Sequence, residues 1–343
     1  MQYSTFAAID IGSYDVILEI FEISKKQGIR SVDKICHRME LGKDTYTLGK
    51  IRPEMEEELC RVLADFVRIM EGYRVDDYRA AASSAISEAS NSLYVLGKIH
   101  QLTGLSVTVL SNSEQRFLSY KALAAMEDNF NKIIEKGTAI LDLDGGSFQI
   151  SLFDKDALVT TQNIRMGSLR IRERLAGIQS ETEHYEEMVE ELIWNEVSSF
   201  KKMYLKDRKI ENIMLIGDVF TDSVYQNIEE KTTKIISREN FNTWYEKIIR
   251  QSPMELAVKL GIPLENASLM YPSAVIYKCL IDMMGAEHIW IPGVHMTRGI
   301  AYEYAEQMKL LKGGHNFEND ILMAAKNIGK RYAVNRPHVQ NLE

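Results

Sequence analysis

The stretch FAAIDIGS at residues 6–13 is a short apolar run that ends in a turn, and the β-prone run VILEIF follows at residues 16–21. Two such runs around a glycine-containing turn predict a strand–turn–strand hairpin with Asp10, Gly12 and Ser13 at its tip. Such a tip exposes backbone N–H groups and a hydroxyl to an oxyanion, while the aspartate can hold a metal ion or orient water. Glycine suits the turn because a Cβ would keep a phosphate group away from the backbone.

A related unit follows later in the chain, where TAILDLDGGS covers residues 138–147 and FQISLF covers residues 148–153. One turn of this kind is more often an ordinary hairpin than a binding site. Two copies, each with an aspartate at the same point after a buried strand, are much more specific. They predict two similarly built halves that face each other. Asp10 and Asp142 are candidate metal ligands, and the alternative is that they only bind local N–H groups of their turns.

Helical and strand patterns alternate around the two hairpins. Pro53 opens the first predicted helix, whose apolar residues recur on one face. The predicted helices are 53–70, 87–100, 113–126, 181–205, 241–250, 253–260, 268–284 and 297–311. The further predicted strands are 77–82, 105–110, 157–165, 212–216 and 288–291. This alternation predicts α/β layering.

The composition limits the partners of the chain. It has 343 residues, 45% of them hydrophobic and 26% charged, which is ordinary for a globular protein and favours two domains. The net charge of -8 argues against a nucleic-acid partner or an anionic membrane surface. A polyanionic ligand stays open, because backbone N–H groups can hold phosphate in an acidic protein.

Three features of the sequence predict a cytoplasmic protein. Cys36, Cys60 and Cys279 are odd in number and widely spaced, which suits reduced thiols. The first residues run directly into a predicted strand and leave no room for a signal peptide. No uninterrupted apolar stretch reaches the ~20 residues that a membrane-spanning helix needs.

Six short motifs occur in the order and with the spacing of the Ppx/GppA family of exopolyphosphatases and guanosine pentaphosphate phosphohydrolases. They are DIGS at 10–13, ASSAISEASN at 82–91, VLSNSEQR at 109–116, DLDGGSFQ at 142–149, RMG at 165–167 and LIG at 215–217. The chain resembles this family from residue 6 to about residue 305. The resemblance implies an α/β fold of the actin-like superfamily, with two actin-like (ribonuclease H-like) domains and an interdomain phosphate-binding cleft.

The pattern of elements and the resemblance together predict the domain boundaries. The N-terminal actin-like domain is placed at residues 1–125 and the second actin-like domain at residues 126–312. Residues 313–343 form a C-terminal helical segment, for which two alternatives stay open. It either packs back onto the second domain or begins a further helical domain.

The resemblance also implies a function and a set of site residues. Members of the Ppx/GppA family remove the terminal phosphate from polyphosphate or guanosine pentaphosphate with Mg²⁺ and an activated water. The resemblance also implies a homodimer. The expected ligands are polyphosphate and guanosine penta- or tetraphosphate, with Asp10 and Asp142 at the metal. The implied phosphate-binding residues are Gly12, Ser13, Ser87, Gly145, Gly146, Ser147 and Gly217.

Several side chains that the family carries are replaced in this sequence. Gln115 stands at the position of the general-base glutamate, and an amide cannot accept a proton from water near neutral pH. Gln149 replaces a second glutamate, at the end of the second phosphate loop. Ser87 replaces an arginine that would clamp phosphate through its bidentate fork. Tyr14 and Asp15 replace a small polar pair after the first loop.

Glu114 and Asp144 are the candidates to replace the lost base. Glu114 is the neighbour of Gln115, but one residue turns a side chain by ~100° around a helix, so that a role in stabilising the helix N-terminus is the alternative. Asp144 is an additional carboxylate inside the second turn that either replaces a lost acid or repels phosphate. DVFT at 218–221 follows Gly217 in place of a small serine- or glycine-containing turn.

Two functions stay open on this evidence. The chain is either an exopolyphosphatase-like hydrolase or a catalytically impaired relative that binds phosphate chains or nucleotides as a sensor or interaction module. A sugar kinase or chaperone-type ATPase of actin-like fold is a weaker alternative, because SAISEASN at 84–91 resembles the Ppx/GppA motif. The sequence also contains one cluster of basic residues, which is interpreted as a solvated helix end rather than as a surface that guides polyphosphate. It comprises Lys201, Lys202, Lys206, Arg208 and Lys209.

Overall fold

The predicted N-terminal hairpin is present in a computed structural model of the chain, in which strand Ser4–Ile11 pairs antiparallel with strand Asp15–Ser24. The turn between them is closed by the Gly12 N–H, which donates to the Asp15 carbonyl at 2.9 Å. The hairpin therefore forms where the apolar runs and the glycine predicted it. The structure describes residues 3–126, 130–176, 185–227, 234–311, 315 and 317–331.

The described elements alternate between strands and helices, as the sequence predicts. The strands are β1 (Ser4–Ile11), β2 (Asp15–Ser24), β3 (Gly28–Arg38), β4 (Asp77–Ala82), β5 (Val107–Val109), β6 (Thr138–Leu143), β7 (Phe148–Asp154), β8 (Ala157–Ile164), β9 (Asn212–Ile216), β10 (Ile235–Ser237) and β11 (His288–Trp290). The helices are α1 (Leu41–Leu48), α2 (Pro53–Gly72), α3 (Ser84–Ser87), α4 (Ser92–Thr103), α5 (Asn112–Met126), α6 (Phe130–Ile134), α7 (Ser168–Leu175), α8 (Tyr185–Phe200), α9 (Val219–Asn227), α10 (Arg238–Ile249), α11 (Pro253–Leu260), α12 (Leu264–Met284), α13 (Met296–Gln307) and α14 (Phe317–Arg331).

The two sheets repeat one arrangement of strands. The first sheet has the order β3-β2-β1-β4-β5, with β1 antiparallel to β2 and parallel to β4. The second has the order β10-β11-β9-β6-β7-β8, with β6 antiparallel to β7 and parallel to β9. In both sheets the first strand of the hairpin therefore lies between its antiparallel partner and a parallel strand. The prediction of two similarly built α/β halves is confirmed.

Helix α13 joins the first half, although the sequence places it in the second domain. Ile300, Ala301 and Tyr304 on this helix pack with Phe6 and Phe21 of the first sheet. The Tyr304 ring stacks on Phe6 at a centroid distance of 4.1 Å. The chain thus enters the second sheet after α5 and returns to the first with α13. The predicted boundary at residue 312 does not follow this packing, because periodicity along the chain does not reveal which sheet a helix covers.

Helix α14 packs back onto the second half, which is one of the two alternatives for the C-terminal segment. Asp320 is fully buried and accepts from the Leu158 N–H of β8 at 3.3 Å. Asn327 donates to the Val159 carbonyl at 3.2 Å, and the Phe317 side chain is buried in the same cluster as Phe153. Residues 332–343 lie outside the described part of the chain. Within the described part, no helix is both long and apolar enough to span a bilayer.

Candidate active site

The two hairpin turns meet at one cleft between the two sheets. A Cβ on Gly145 of the second turn would lie 3.2 Å from the Cβ of Ser13 in the first. The Ser13 hydroxyl donates to Asp144 Oδ2 at 3.3 Å across the same junction. The turns are therefore in direct contact, as the duplicated sequence unit predicts. Of the residues singled out in the sequence, the cleft is lined by Asp10, Gly12, Gln115, Asp142, Asp144, Gly145, Ser147, Gln149 and Gly217.

Four of the predicted site residues do not line this cleft. Ser13 and Gly146 lie behind the turns, where a Cβ on Gly146 would overlap the Tyr46 hydroxyl. Ser87 is exposed at the end of α3. Glu114 is exposed at the start of α5, where its carboxylate accepts from the Ser111 N–H at 2.7 Å. Hydrogen bonds with Ser111, first from its side chain and then from its N–H, lower the pKa of Glu114, and this pairing caps the helix N-terminus.

The N–H groups of the turns divide into occupied and open donors. The Gly12 N–H is bonded to the Asp15 carbonyl, and the Gly145 N–H donates to Asp144 Oδ1 at 2.6 Å. The N–H groups of Ser13, Gly146 and Ser147 have no acceptor among the described residues. Of these three residues, Ser147 lines the cleft, whereas Ser13 and Gly146 do not.

Asp144 occupies the second turn in the way that an oxyanion would. It accepts from the Gly145 N–H and from the Ser13 hydroxyl, two groups that the sequence assigns to phosphate. Burial of the carboxyl raises its pKa to about 6, and the nearby Asp15 carboxylate adds to the shift. Below that pH the carboxyl is neutral. Above it, a negative charge fills part of the turn.

Asp10 and Asp142 lie at corresponding positions on β1 and β6 and both line the cleft. Burial raises the pKa of Asp142 to about 6, although a hydrogen bond from the Ser119 hydroxyl at 2.7 Å opposes the shift. Burial, with the charges of Asp15 and Asp144, raises the pKa of Asp10 well above its usual value. The Asp10 Oδ1 atom is buried and has no hydrogen-bond partner among the described residues. Such an oxygen is a candidate ligand for a cation.

A third turn, after β9, completes the floor of the cleft. Gly217 has a φ of +107°, which residues other than glycine rarely adopt. A Cβ there would also lie 2.7 Å from Asp142 Oδ1, so that both the backbone conformation and the available space require glycine. Asp218 follows, with its Oδ2 buried and unpartnered among the described residues. Burial raises the pKa of Asp218 to about 7. Sequence reasoning missed this acid, although a buried strand that ends in Gly-Asp is a signal for it.

Replacing Asp218 by asparagine is expected to stabilise the protein at pH 8. A folded-state pKa near 7 means that this group stabilises the fold below its unfolded value of 3.8 and that the contribution is lost as pH rises through about 7. The full shift corresponds to about 4 kcal/mol, and we expect about 2 kcal/mol because the residue is only half-buried. Denaturant unfolding at pH 5 and pH 8 measures it, with the exposed Asp207→Asn as control. A variant less stable than the parent at pH 8 contradicts it.

The two glutamines occupy distinct places in the cleft. The Gln115 amide donates to the Leu110 carbonyl at 3.3 Å and is half-buried at the wall. Gln149 is opposite Asp142 in the β6–β7 register, and its Oε1 is buried with no partner among the described residues. Neither amide can take a proton from water. The carboxyl groups that the cleft does contain are those of its aspartates.

Polar contacts fasten the two halves beside the cleft. Arg172 of α7 binds both oxygens of Glu40 at 2.7 Å and the Ser268 hydroxyl at 2.8 Å. The Tyr14 hydroxyl donates to Asn266 Oδ1 at 2.5 Å. Tyr14, an unexpected residue in the sequence motif, is thus used as a bridge between the first turn and α12.

The basic cluster of the second half lies away from the cleft. All five of its side chains are exposed, and none lines the cleft. Arg208 is 3.4 Å from Asp154, and Lys201 lies over the Trp194 ring at 5.4 Å. This environment is that of a solvated surface.

The fold and the cleft define a class of two-domain α/β proteins whose paired glycine turns face each other. A model of the Ppx/GppA phosphatase family matches residues 19–308, and the chain belongs to that family. An exopolyphosphatase of known structure from Cytophaga hutchinsonii superposes with a TM-score of 0.79 at 16% identity, over 89% of this chain and 98% of that one. The Aquifex aeolicus family member gives 0.72 at 17%, over 90% and 99%. The predicted actin-like fold is confirmed.

Two curated relatives are similar over part of their length. A bifunctional 3-dehydroquinate synthase/phosphatase from Fusobacterium nucleatum is 21% identical over 82% of this chain and 44% of its own length. Exopolyphosphatase 1 from Mycobacterium leprae is 25% identical over 42% of this chain and 41% of its own length. The chain therefore spans less than half the length of these relatives.

Proposed function

We propose that the cleft binds a chain of phosphoanhydride-linked phosphates, inorganic polyphosphate or guanosine penta- or tetraphosphate, and hydrolyses its terminal anhydride with Mg²⁺ and water. The observation that carries the proposal is the direct contact between the two glycine turns, at Ser13 and Gly145. The N–H group of Ser147, a cleft residue, has no acceptor among the described residues and suits an oxygen of a phosphate group. The names of the related exopolyphosphatases support the same substrate class.

The aspartates of the cleft fit a magnesium ion. Asp10 Oδ1 is an orphaned buried oxygen, and burial next to other aspartates raises the pKa values of Asp10 and Asp142. No cluster of three or more candidate ligand side chains occurs among the residues that the structure describes. Mg²⁺ suits such a site, since it is commonly held by one or two carboxylates, waters and substrate phosphates. Bound by Asp10 and Asp142, it would neutralise charge on the phosphate chain.

Hydrolysis in this cleft requires an acceptor for a proton. Water adds to the terminal phosphorus, the bridging oxygen departs with its bonding electrons, and the attacking water must lose a proton. Gln115 can orient water through its amide oxygen but cannot take that proton. Asp144, with a pKa of about 6, is the titratable group nearest to the second turn that can. We therefore expect slow turnover.

The test is phosphate release by the purified protein from polyphosphate and from guanosine pentaphosphate, with and without Mg²⁺. Binding of each ligand is measured separately by calorimetry. We expect Mg²⁺-dependent binding and slow release, and loss of both in Asp10→Asn and Asp142→Asn. Gln101→Glu on the exposed face of α4 serves as a charge-change control. Absence of binding to either phosphate chain in the presence of Mg²⁺ would refute the proposal.

The second candidate is a phosphate-chain sensor without catalysis. The amides at Gln115 and Gln149 and the carboxylate of Asp144 in the second turn favour it. The same experiment distinguishes the two functions, since a sensor binds the chain tightly and releases no phosphate above the level of a blank. The expected homodimer stays a prediction that sedimentation with and without ligand would address.

A further inference from the structure

The cleft is acidic at its floor and basic along one wall. Its floor carries Asp10, Asp142 and Asp144, which do not attract a polyanion. The basic side chains among the described cleft residues are Lys34, Arg38 and His295. His295 lies 3.5 Å from Asp222, whereas Lys34 and Arg38 have no described carboxylate within the 4.0 Å of an ion pair.

Lys34 and Arg38 stand on one face of β3, the edge strand of the first sheet. Alternate residues of a strand point to the same face, so that Lys34, Cys36 and Arg38 form a row about 13 Å long. The Cys36 thiol donates to Asp15 Oδ2 at 3.4 Å, and Asp15 is the register partner of Arg38. The row therefore begins directly beside the first glycine turn and leads away from it.

The row is held in place without an ion pair. The Arg38 guanidinium lies over the Tyr14 ring at 5.8 Å, a distance at which cation–π attraction orients it. Tyr14 is itself fixed by its bond to Asn266. Other basic groups near the cleft are already paired: Arg172 with Glu40, and Arg170 with Glu88. Lys34 and Arg38 lie near enough to Asp15 to oppose the rise of its pKa on burial, but neither forms an ion pair among the described residues, so that both can bind an external anion.

We propose that Lys34 and Arg38 form a cationic track on β3 that holds the phosphates behind the terminal one and so selects long phosphate chains. This inference rests on the proposed function, since the terminal phosphate lies at the glycine turns. A chain of several phosphates reaches both the turns and the track. A short ligand such as pyrophosphate reaches the turns alone. Arg38 brings a guanidinium to the cleft, whereas Ser87 of α3 does not line it.

The experiment compares the affinities for long-chain polyphosphate and for pyrophosphate, with Mg²⁺ present, in the parent and in Lys34→Gln/Arg38→Gln. We expect the double variant to bind long chains at least about tenfold more weakly, because two charge-assisted contacts are lost, while pyrophosphate affinity changes less than about twofold. Its binding should also depend less on ionic strength. Both residues are exposed, so that the fold tolerates the change, which a thermal melt verifies.

The matched control is Lys25→Gln/Lys26→Gln, which removes two exposed positive charges from the far end of the same β2–β3 hairpin. It has the same net charge as the test variant and should bind long chains like the parent. Equal weakening by both variants would mean that overall charge, not the track, is responsible, and would overturn the inference. So would a track variant that binds long chains normally. If the parent binds neither ligand, the proposed function itself has failed.

Discussion

Gln115→Glu is expected to raise the rate of phosphate release about a hundredfold, within the range that a positioned general base contributes. The amide lies on the cleft wall and donates to the Leu110 carbonyl at 3.3 Å. A carboxylate of the same shape loses that hydrogen bond and is repelled by the carbonyl, which turns it toward the water in the cleft. Phosphate release at saturating polyphosphate and Mg²⁺ measures the gain.

The pH profile distinguishes a new base from an indirect effect. The rate of phosphate release by Gln115→Glu should rise with pH as the new carboxyl ionises. The pH–rate profile of the parent should lack this rise. Gln149→Glu alone should gain little, because its carboxylate would lie beside Asp142 and require bound Mg²⁺ to ionise. If Gln115→Glu binds polyphosphate like the parent and releases phosphate no faster, Gln115 does not occupy the position of a base. A loss of turnover in Glu114→Gln would assign that role to Glu114.

Asp144→Gly is expected to increase the affinity for a phosphate chain about a hundredfold at pH 7.5. A charge within about 4 Å of a phosphate opposes binding by several kcal/mol at the effective dielectric of a protein cleft. Removing the carboxyl also frees the Gly145 N–H and the Ser13 hydroxyl, which Asp144 now occupies. If Asp144 serves as the proton acceptor, the same variant binds tightly and turns over more slowly. Affinity and turnover must therefore be measured separately.

Asp144→Asn separates charge from occupancy, because the amide still fills the turn but carries no negative charge. Its oxygen can accept from the Gly145 N–H, and its NH₂ group can donate to the Ser13 hydroxyl oxygen. With a pKa of about 6 for Asp144, the affinity of the parent for the phosphate chain should rise as pH falls from 7.5 to 5.5. The affinity of Asp144→Asn divided by that of the parent should then fall toward one. Asp10, Asp15 and Asp142 also face the turn, so the ratio is the informative quantity. Equal affinities of the parent and both variants across this pH range contradict an inhibitory Asp144.

Local signals predicted the fold where they were strong. Strand Asp77–Ala82, strand Asn212–Ile216 and helix Pro53–Gly72 occur within two residues of the predicted bounds. The predicted helix at 87–100 is instead interrupted, because the Asn91 side chain bonds both backbone groups of Ile51. Strand β3 was missed because charged residues interrupt its apolar ones, at Arg30, Asp33, Lys34 and Arg38, as suits an edge strand. Such outcomes depend on tertiary contacts that periodicity does not contain.

The site was predictable in outline and not in its contacts. The repetition of the Asp-containing turn predicted that the two turns would face each other, and Ser13 of the first turn contacts Gly145 of the second. The helical angle predicted that Glu114 and Gln115 would diverge, and Glu114 is indeed turned to Ser111. That Asp144 would bind its own turn depends on the Ser13 hydroxyl, which is 131 positions away in the sequence.

The return of the chain to the first sheet with α13 has a consequence for how the protein can be divided. A fragment that ends near residue 125 would keep Phe6 and Phe21 but lose Ile300, Ala301 and Tyr304, which cover them. That fragment would expose an aromatic surface and aggregate. The N-terminal half is therefore not a separable module, and an excised version would need residues 296–311 joined back to it. The backbone crosses twice between the two halves, once after α5 and once before α13, so that neither half can be cut out as one continuous segment.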